Sequence, residues 1–286
     1  MGANPEPMRG QGGSLDVRAE LIAGRTRFTQ VVQRPPLGIS RALHPDPHHP
    51  RMASAMLTSA AGGVLQGDVL QTRIEVGDGA WLHLGTQSAT RFYRMPAGRA
   101  RVETRYAVGA GAWLEVIPDP WIPYAGAVIE AHTACDVDPT GVLVVAEIVA
   151  AGRAASGERL AYERVESVVD IAVGGVSRAR DVLSLVPADG LGRVGRLGPF
   201  AAVGSLLVVA RGVRGETLAD AAEHADGSVG VAIGGYHGAG DLPGGAGAWL
   251  RTVAPDGATA RAVIAAAWTA ARAILGAPPP PLDRRG

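Results

Sequence analysis

The sequence contains no lysine. All 27 of its basic residues are arginine, and they balance 27 acidic residues over 286 positions, so the formal net charge is zero. Without lysine the chain cannot form a Walker-A phosphate clamp, a Schiff base or a pyridoxal-phosphate anchor. Nucleic-acid binding needs a surplus of positive charge that displaces counterions, and the neutral balance disfavours it. The chain is rich in alanine, glycine and arginine. The base composition of the genome explains such amino-acid usage, so it does not by itself indicate a function.

Cysteine is also nearly absent. Cys135 is the single cysteine, so no intrachain disulfide can form and a reducing compartment suits the chain. Residues 1–11 have no apolar core of the kind that a secretory signal needs. Apolar runs such as residues 201–210 reach about half the length that spans a bilayer. We therefore expect a cytoplasmic protein that binds neither membrane nor nucleic acid.

Short runs of Val, Ile, Leu and Trp, separated by Gly, Pro and Asp, predict a mainly β chain. Two strand–glycine turn–strand units, around Gly77–Gly79 and Gly109–Gly111, lie about 32 residues apart. This spacing indicates a stacked β architecture, either a solenoid or a sandwich. We expect strands at residues 70–76, 81–85, 101–108, 112–117, 128–134, 143–149, 164–173, 179–186 and 205–210.

Helices are predicted in the last quarter of the chain. Residues 217–224 could form a short helix with Thr217 as its N-cap. A stronger pattern follows Asp256, where apolar residues recur on one stripe as far as Gly276, which stands at the expected C-terminal cap. We expect one domain over residues 13–276, with flexible tails at residues 1–12 and 277–286.

Two groups of residues have the composition of a metal site. His44, His48 and His49 lie with Asp46 in a proline-rich segment, for which a solvated loop is the simpler interpretation. Glu130 and His132 project from one face of a strand, with Cys135 at the following turn, and an ordinary half-exposed strand explains them equally well.

Other candidates have simple structural explanations. His83, between two leucines, fits a strand residue that faces out or is hydrogen-bonded. The glycine-rich segments around Gly62–Gly67 and Gly234–Gly240 fit turns with positive φ rather than phosphate loops. The chain has no Gly-x-Ser-x-Gly motif, so a serine-hydrolase elbow finds no support.

Three ordered stretches carry a family resemblance. They are residues 57–68 (LTSAAGGVLQGD), 86–94 (TQSATRFYR) and 147–158 (EIVAAGRAASGE). In this order and spacing the chain resembles the UreD (UreH) family of urease accessory proteins. The segment Leu114–Pro118 and the loop after Ile122 are similar to a strand and loop of that family. The family commonly has lysine where Arg91 stands, a substitution that a lysine-free chain is expected to show.

The resemblance implies a non-catalytic maturation factor with an elongated, helically stacked β fold and two helices. It implies binding to an F-type accessory protein and, through it, to a G-type GTPase, and docking on apo-urease subunits in what could be a dimer of heterocomplexes. No cofactor would be tightly bound. Ni²⁺ would pass transiently through a tunnel, which calls for oxygen ligands because a cage of histidine and cysteine would retain the ion.

By position in the motifs, Asp68, Thr90 and Glu147 are expected along such a tunnel, with Asp181 as a fourth residue. For Asp68 the alternative is a turn carboxylate that caps backbone amides. Glu147 lies in an otherwise apolar strand, where a carboxylate without a function would be costly. The remaining motif residues are expected to shape the fold or a partner surface; they are Gly62, Gly63, Gly67, Arg91, Phe92, Tyr93, Arg94, Gly152, Arg153, Gly157 and Glu158.

Two other functions are open to a chain of this composition. A generic β-rich interaction module would have no metal role. A stacked-β enzyme acting on polysaccharide would need paired carboxylates across an aromatic-lined cleft, and aromatic residues make up only 5% of the chain.

Overall fold

The computed structural model describes residues 10, 12–45, 49–228 and 235–277. Within these ranges, the strands in chain order are β1 (Gly12–Ile22), β2 (Arg25–Arg34), β3 (Leu37–Ile39), β4 (Met52–Ser59), β5 (Val69–Val76), β6 (Trp81–Thr86), β7 (Thr90–Phe92), β8 (Ala100–Val108), β9 (Trp113–Val116), β10 (Trp121–Pro123), β11 (Val128–Val137), β12 (Val142–Ala150), β13 (Arg164–Val173), β14 (Val176–Leu185), β15 (Ala202–Val209), β16 (Tyr236–Leu242) and β17 (Gly247–Ala254). The α-helices are α1 (Gly215–Ser228) and α2 (Gly257–Ile274).

The strands form two sheets that face each other. Sheet A has the strand order β14-β13-β11-β8-β5-β1-β2, and sheet B has the order β16-β17-β15-β12-β9-β6-β4-β3, with β7 and β10 beside β12. From β5 to β13 the chain alternates between the sheets and adds strands that pair in parallel with their predecessors. The predicted mainly β, helically stacked architecture with two C-terminal helices is confirmed. Antiparallel strands flank the stack on both sheets.

The 32-residue spacing in the sequence corresponds to one rung of this stack. Trp81 of β6 and Trp113 of β9 are register partners, and their ring centroids lie 5.2 Å apart. The turns stack as well, because Oδ1 of Asp78 accepts a hydrogen bond from the backbone N–H of Ala110 at 2.9 Å. Equivalent positions of successive rungs are therefore direct neighbours in space.

Two apolar layers hold the fold together. Between the sheets, alternate side chains of facing strands interdigitate, with Ile74 on sheet A and Leu82 and Leu114 on sheet B fully buried. The outer face of sheet B is covered by α1 and α2, whose apolar faces pack on residues such as Val144 and Leu250. The outer face of sheet A remains polar and faces solvent, so its strands alternate between apolar and charged residues.

Helix α2 begins and ends as the sequence predicts. The carboxylate of Asp256 accepts a hydrogen bond from the backbone N–H of Thr259 at 2.7 Å, which is the N-cap interaction. Gly276, directly after the last turn, has φ of +68°, the left-handed conformation that favours glycine. Ala267, Trp268 and Ala271 are buried against sheet B.

Replacing Asp256 by alanine is expected to lower the free energy of unfolding by about 1 kcal/mol, because the first turn of α2 loses its cap. Urea denaturation followed by circular dichroism measures the change. Asp256→Asn is the matched control, since asparagine keeps an acceptor oxygen and caps nearly as well. An equal loss in both variants would show that the cap does not set the stability of this helix.

Helix α1 differs from the prediction. It begins at Gly215, so Thr217 lies inside the helix and is not its N-cap. The backbone N–H of Gly215 instead donates to Oδ1 of Asp241 on β16 at 2.8 Å. This acceptor is 26 residues away in the chain, which is why a local capping pattern could not reveal it.

The strands at both ends of the chain were not predicted. Strands β2, β4, β16 and β17 carry many polar or small residues, and their apolar alternation is weak. Strand β1 does alternate, with Leu15, Val17 and Ala19 buried, and was overlooked. Gly238 and Gly240, expected in a turn, lie within β16. The expected tails fall mostly outside the described residues, and Gly12 opens β1. None of the helices in the described ranges is long and apolar enough to cross a membrane.

Candidate functional site: a cavity between the sheets

A cavity of about 290 Å³ lies between the two sheets. Strands β5, β8, β11 and β13 of sheet A line one wall, and β12 of sheet B contributes to the other. The exposed residues Ser59, Gly62, Gln87 and Arg91 line one part of it. The cavity therefore opens to solvent between the segment after β4 and the segment that leads into β7.

Three threonines line the sheet A wall of this cavity. Thr72 on β5, Thr104 on β8 and Thr133 on β11 are register partners on the inner face. Because neighbouring strands lie about 4.8 Å apart, this threonine row extends for about 10 Å. The same register continues through Val169 to Asp181 on β14. The threonine row gives an otherwise apolar wall a line of hydroxyl oxygens, each with lone pairs that can face a cation or water.

Glu147 projects from β12 into the same cavity. Its side chain is partly buried and lines the cavity. Burial raises the pKa of its carboxyl to about 7; a hydrogen bond with Ser167 and the charge of Arg251 oppose this rise, and the charge of Asp181 adds to it. Near neutral pH this carboxyl can therefore either hold a proton or offer a charged oxygen to a cation.

Five polar side chains, Glu147 among them, meet between the sheets, and we call this group the polar bridge. Register pairing puts Glu147, Ser205 and Arg251 side by side on the inner face of sheet B. Ser167 and Asp181 face them from sheet A, and Nη2 of Arg251 donates to Oδ1 and Oδ2 of Asp181 at 2.8 and 2.6 Å. The polar bridge therefore connects the cavity wall with the edge of the two sheets.

The family model described as UreD urease accessory protein matches residues 11–285. The chain belongs to the UreD family. Similar curated proteins include urease accessory protein UreD 2 of Streptomyces griseus, 35% identical over 84% of this chain and 82% of that protein. UreD of Haloarcula marismortui is 34% identical over 96% and 91%, and UreD of Mycolicibacterium gilvum is 36% identical over 81% and 83%. This membership supports a role in urease maturation, and the relatives are named accessory proteins rather than enzymes.

Of the four residues expected along a UreD tunnel, the structure brings two to the cavity. Thr90 and Glu147 line it. Asp181 lies next to it, in the polar bridge. Asp68 is buried in the turn before β5, where its Oδ2 accepts a hydrogen bond from the backbone N–H of Leu65 at 2.8 Å. Asp68 thus makes the amide-capping contact that was the alternative interpretation, and it lies outside the lining of the cavity.

The glycines of the first UreD motif serve two different purposes. Gly67 has φ of +80°, as expected of a turn. Gly62 and Gly63 do not have positive φ, so that part of the prediction is wrong. A Cβ on Gly63 would come within 2.6 Å of the Tyr93 ring and 2.8 Å of the Arg91 carbonyl oxygen. Glycine is needed there because the second motif packs directly on the first.

The second UreD motif is mostly structural. Phe92 is buried against Trp121, with ring centroids 5.2 Å apart, and the Tyr93 hydroxyl donates to the carbonyl oxygen of Gly62 at 3.1 Å. Arg91 and Arg94 are exposed, and Arg91 also lines the cavity near its opening. Arg91 therefore lies both at the surface and at the opening of the cavity.

The third UreD motif closes a loop after β12. The guanidinium of Arg153 forms an ion pair with Glu158, with Nε to Oε2 at 2.8 Å, and lies 4.3 Å from the centroid of the Tyr124 ring. The hydrogen bond from Arg153 holds the pKa of Glu158 below its ordinary value. Gly152 and Gly157 take φ of +132° and +70° within this loop. The motif residues thus shape the end of the strand that carries Glu147.

The other metal candidates are engaged elsewhere. On the solvent face of sheet A, Glu130 forms ion pairs with three arginines and Nε2 of His132 lies 2.9 Å from Asp170. Cys135 lies within β11 on the opposite, buried face, which corrects its placement at a turn. Nε2 of His44 lies 3.0 Å from the carbonyl oxygen of Thr26. His49 precedes β4, and His48 lies outside the described residues. Across the described ranges, no group of three or more metal-ligating side chains is found.

A buried ionic cluster beneath α2 was not predicted. Glu115 of β9 is fully buried, and Nη1 of Arg272 on α2 donates to its two carboxylate oxygens at 2.6 and 2.5 Å. Nε1 of Trp113 donates to Oε1 at 2.8 Å, and Nδ1 of His83 lies 3.2 Å from Oε2. Burial alone would raise the pKa of Glu115, but the hydrogen bond from His83 and the charge of Arg272 hold it below its ordinary value.

Proposed function

We propose that this UreD chain acts as a scaffold that docks F- and G-type accessory proteins on apo-urease and conducts Ni²⁺ towards the urease active site. Family membership supports the maturation role. The observation that carries the conduit is the cavity between the sheets, which has Glu147 in its wall and opens to solvent near Arg91. The cytoplasm, where these partners would meet the chain, is the proposed location.

The chemistry of the cavity lining fits transit rather than storage. Its donors are the carboxylate of Glu147, the threonine row and further hydroxyl, amide and carbonyl oxygens; no histidine or cysteine stands among the described residues that line it. Imidazole and thiolate would bind Ni²⁺ strongly, whereas scattered oxygen donors bind it weakly. A single carboxylate that exchanges its proton near pH 7 can take up and release a hydrated cation without trapping it.

The division of labour with partners follows from composition. The chain has no lysine, so the phosphate clamp of a P-loop GTPase must lie on another protein. We therefore assign nucleotide hydrolysis to the G-type partner, reached through the F-type protein, and assign to this chain the path that the ion follows. A dimer of such heterocomplexes would present two of these cavities to urease.

Replacing Glu147 by leucine is expected to lower the nickel content of co-expressed urease by about tenfold while the accessory complex still assembles. The variant keeps the side-chain volume but removes the carboxylate, and a loss of about 1.4 kcal/mol in stabilising the passing ion corresponds to that factor. Metal analysis of purified urease measures nickel, and co-purification of the accessory proteins measures assembly.

Thr133→Ser is the matched control, because it keeps a hydroxyl in the same wall of the cavity and is expected to deliver nickel normally. Fully metallated urease with Glu147→Leu would contradict the conduit and leave the chain as an interaction module without a metal role. Loss of assembly in the leucine variant would attribute its effect to docking instead.

A further inference from the structure

The cavity wall approaches the protein surface at a second point. Glu147 lines the cavity, and the charges of Asp181 and Arg251 both act on its carboxyl. The side chains of Asp181 and Arg251 are themselves 29% and 30% exposed. The polar bridge therefore has one end in the cavity and the other end in solvent, between β14 and β17.

Ser205 provides an independent indication that this place takes a ligand. It is 6% exposed and lies between Glu147 and Arg251 in the register of sheet B. Within the described part of the chain, its Oγ is buried without a hydrogen-bond partner. Burying a hydroxyl without a partner is costly, so its persistence beside Glu147 calls for a polar species that it can contact.

The contact between Arg251 and Asp181 is of a kind that can be exchanged. A single nitrogen of Arg251, Nη2, donates to both carboxylate oxygens, rather than two nitrogens in the stronger paired geometry. Both side chains reach solvent, where water competes with the ion pair and weakens it. By contrast, Arg272 and Glu115 are fully enclosed and have no path to water. Arg251 can therefore leave Asp181 at little cost.

We propose that Arg251 is a displaceable plug, a side chain that closes an exit between β14 and β17. Its guanidinium stays paired with Asp181 until a divalent cation at Glu147 binds between the two carboxylates in its place. The departure of Arg251 then opens the exit. Charge balances in the exchange, because one cation of charge +2 meets two carboxylates while the guanidinium moves into water. The hydroxyls of Ser167 and Ser205 supply further weak oxygen ligands. The cation is the one that the proposed function conducts, and the inference rests on that function for its identity.

The plug is tested first without nickel or urease, by the access of a thiol reagent. Ser205→Cys introduces a thiol inside the polar bridge. The native Cys135 remains silent because it is buried and burial raises the pKa of its thiol to about 12. A small methanethiosulfonate reagent, followed by mass spectrometry, then measures how fast the introduced thiol is modified, in the full chain with and without Arg251→Met.

If Arg251 is the plug, Arg251→Met raises the modification rate by about tenfold or more. This factor corresponds to a loss of roughly 1.4 kcal/mol in the free energy that keeps the closed state populated over the open state. Arg180→Met is the matched control, because Arg180 lies on β14 one residue before Asp181, is 66% exposed and contacts only the solvent face. Arg251→Lys should restore slow modification. An unchanged rate in Arg251→Met, or an equal rise in Arg180→Met, would overturn the plug.

Nickel delivery separates this inference from the conduit itself. At limiting Ni²⁺, Arg251→Met should load urease at least as well as the native chain, whereas Asp181→Asn should load it several-fold less because the exit ligand is gone. A loss in Arg251→Met as large as that of Glu147→Leu would show that Arg251 is structural and would reject the plug. If instead Glu147→Leu loads urease normally, the conduit fails whatever the labelling shows.

Discussion

Replacing Arg272 by alanine is expected to lower the free energy of unfolding by about 3–5 kcal/mol, because the fully buried carboxylate of Glu115 loses its counterion. A domain of ordinary stability has about 5–15 kcal/mol in total, so this variant should melt far below the native chain or fail to fold. Urea denaturation measures the loss, and fluorescence of Trp113 and Trp268, which both lie at the cluster, reports local disruption.

Two controls isolate the cause of that loss. Arg101→Ala removes an arginine that is half exposed and 3.7 Å from its carboxylate partner, and should change stability by less than about 0.5 kcal/mol. The double variant Glu115→Leu with Arg272→Met removes both charges and should recover part of the stability, because an apolar pair avoids the desolvation cost while Nε1 of Trp113 loses its acceptor. A loss below about 1 kcal/mol in Arg272→Ala would show that the ion pair does not anchor α2.

Replacing Glu147 by glutamine is expected to stabilise the chain at pH 8 by up to about 3 kcal/mol and to change its stability much less near pH 4.5. Burial raises the pKa of Glu147 from 4.5 to about 7 in the folded chain. Between these values the unfolded chain releases the proton and the folded chain retains it, so native stability falls as pH rises through this window, by about 1.4 kcal/mol per unit. Above about pH 7 both states are ionised and the loss levels off.

The measurement is urea denaturation of the native chain and of Glu147→Gln at pH 5, 6, 7 and 8. The difference between the two should grow with pH and reach a plateau above about 7, while the titration of other groups cancels. Thr133→Val is the control, since it alters the same cavity without a titratable group and should shift stability equally at every pH. A pH-independent difference for Glu147→Gln would mean that its carboxyl is not held in a desolvated site.

The sequence was most informative where the fold is built from local repeats. The interval between the two glycine turns predicted a stacked architecture, and the structure shows Trp81 and Trp113, which follow these turns, as direct neighbours. Alternation along residues 164–173 gave the bounds of β13 correctly. Strand β2 was missed because its outer half is polar, and the hairpin that it forms with β1 therefore gave no clear second strand. The parallel pairing of β1 with β5 joins residues more than 50 positions apart, which no local pattern reveals.

The candidate site was only partly predictable, for a related reason. Glu147 could be singled out because a carboxylate in an apolar strand is costly. The threonine row could not, because Thr72, Thr104 and Thr133 become a set only when three strands pair in register.

The buried cluster under α2 was missed for the same cause. Arg272 lies within the pattern that predicted α2, but its partner Glu115 lies 157 residues earlier in the chain. A sequence pattern indicates on which face of its own helix or strand a residue lies. It does not indicate which charged residue lies on the neighbouring element that packs against that face.

The stacked rungs also determine what kinds of length change the cavity can tolerate. Side chains alternate in and out along a strand, so a deletion of one residue before Thr104 in β8 would turn Glu103 or Arg105 inward and place a full charge in the wall. An insertion of a complete rung with a threonine at the equivalent register position would keep every alternation and extend the hydroxyl lining by one strand spacing, about 4.8 Å. The lining can therefore lengthen only by whole rungs. The hydroxyl wall stays uncharged only if each rung keeps an even change in residue number, so that its charged side chains still face solvent.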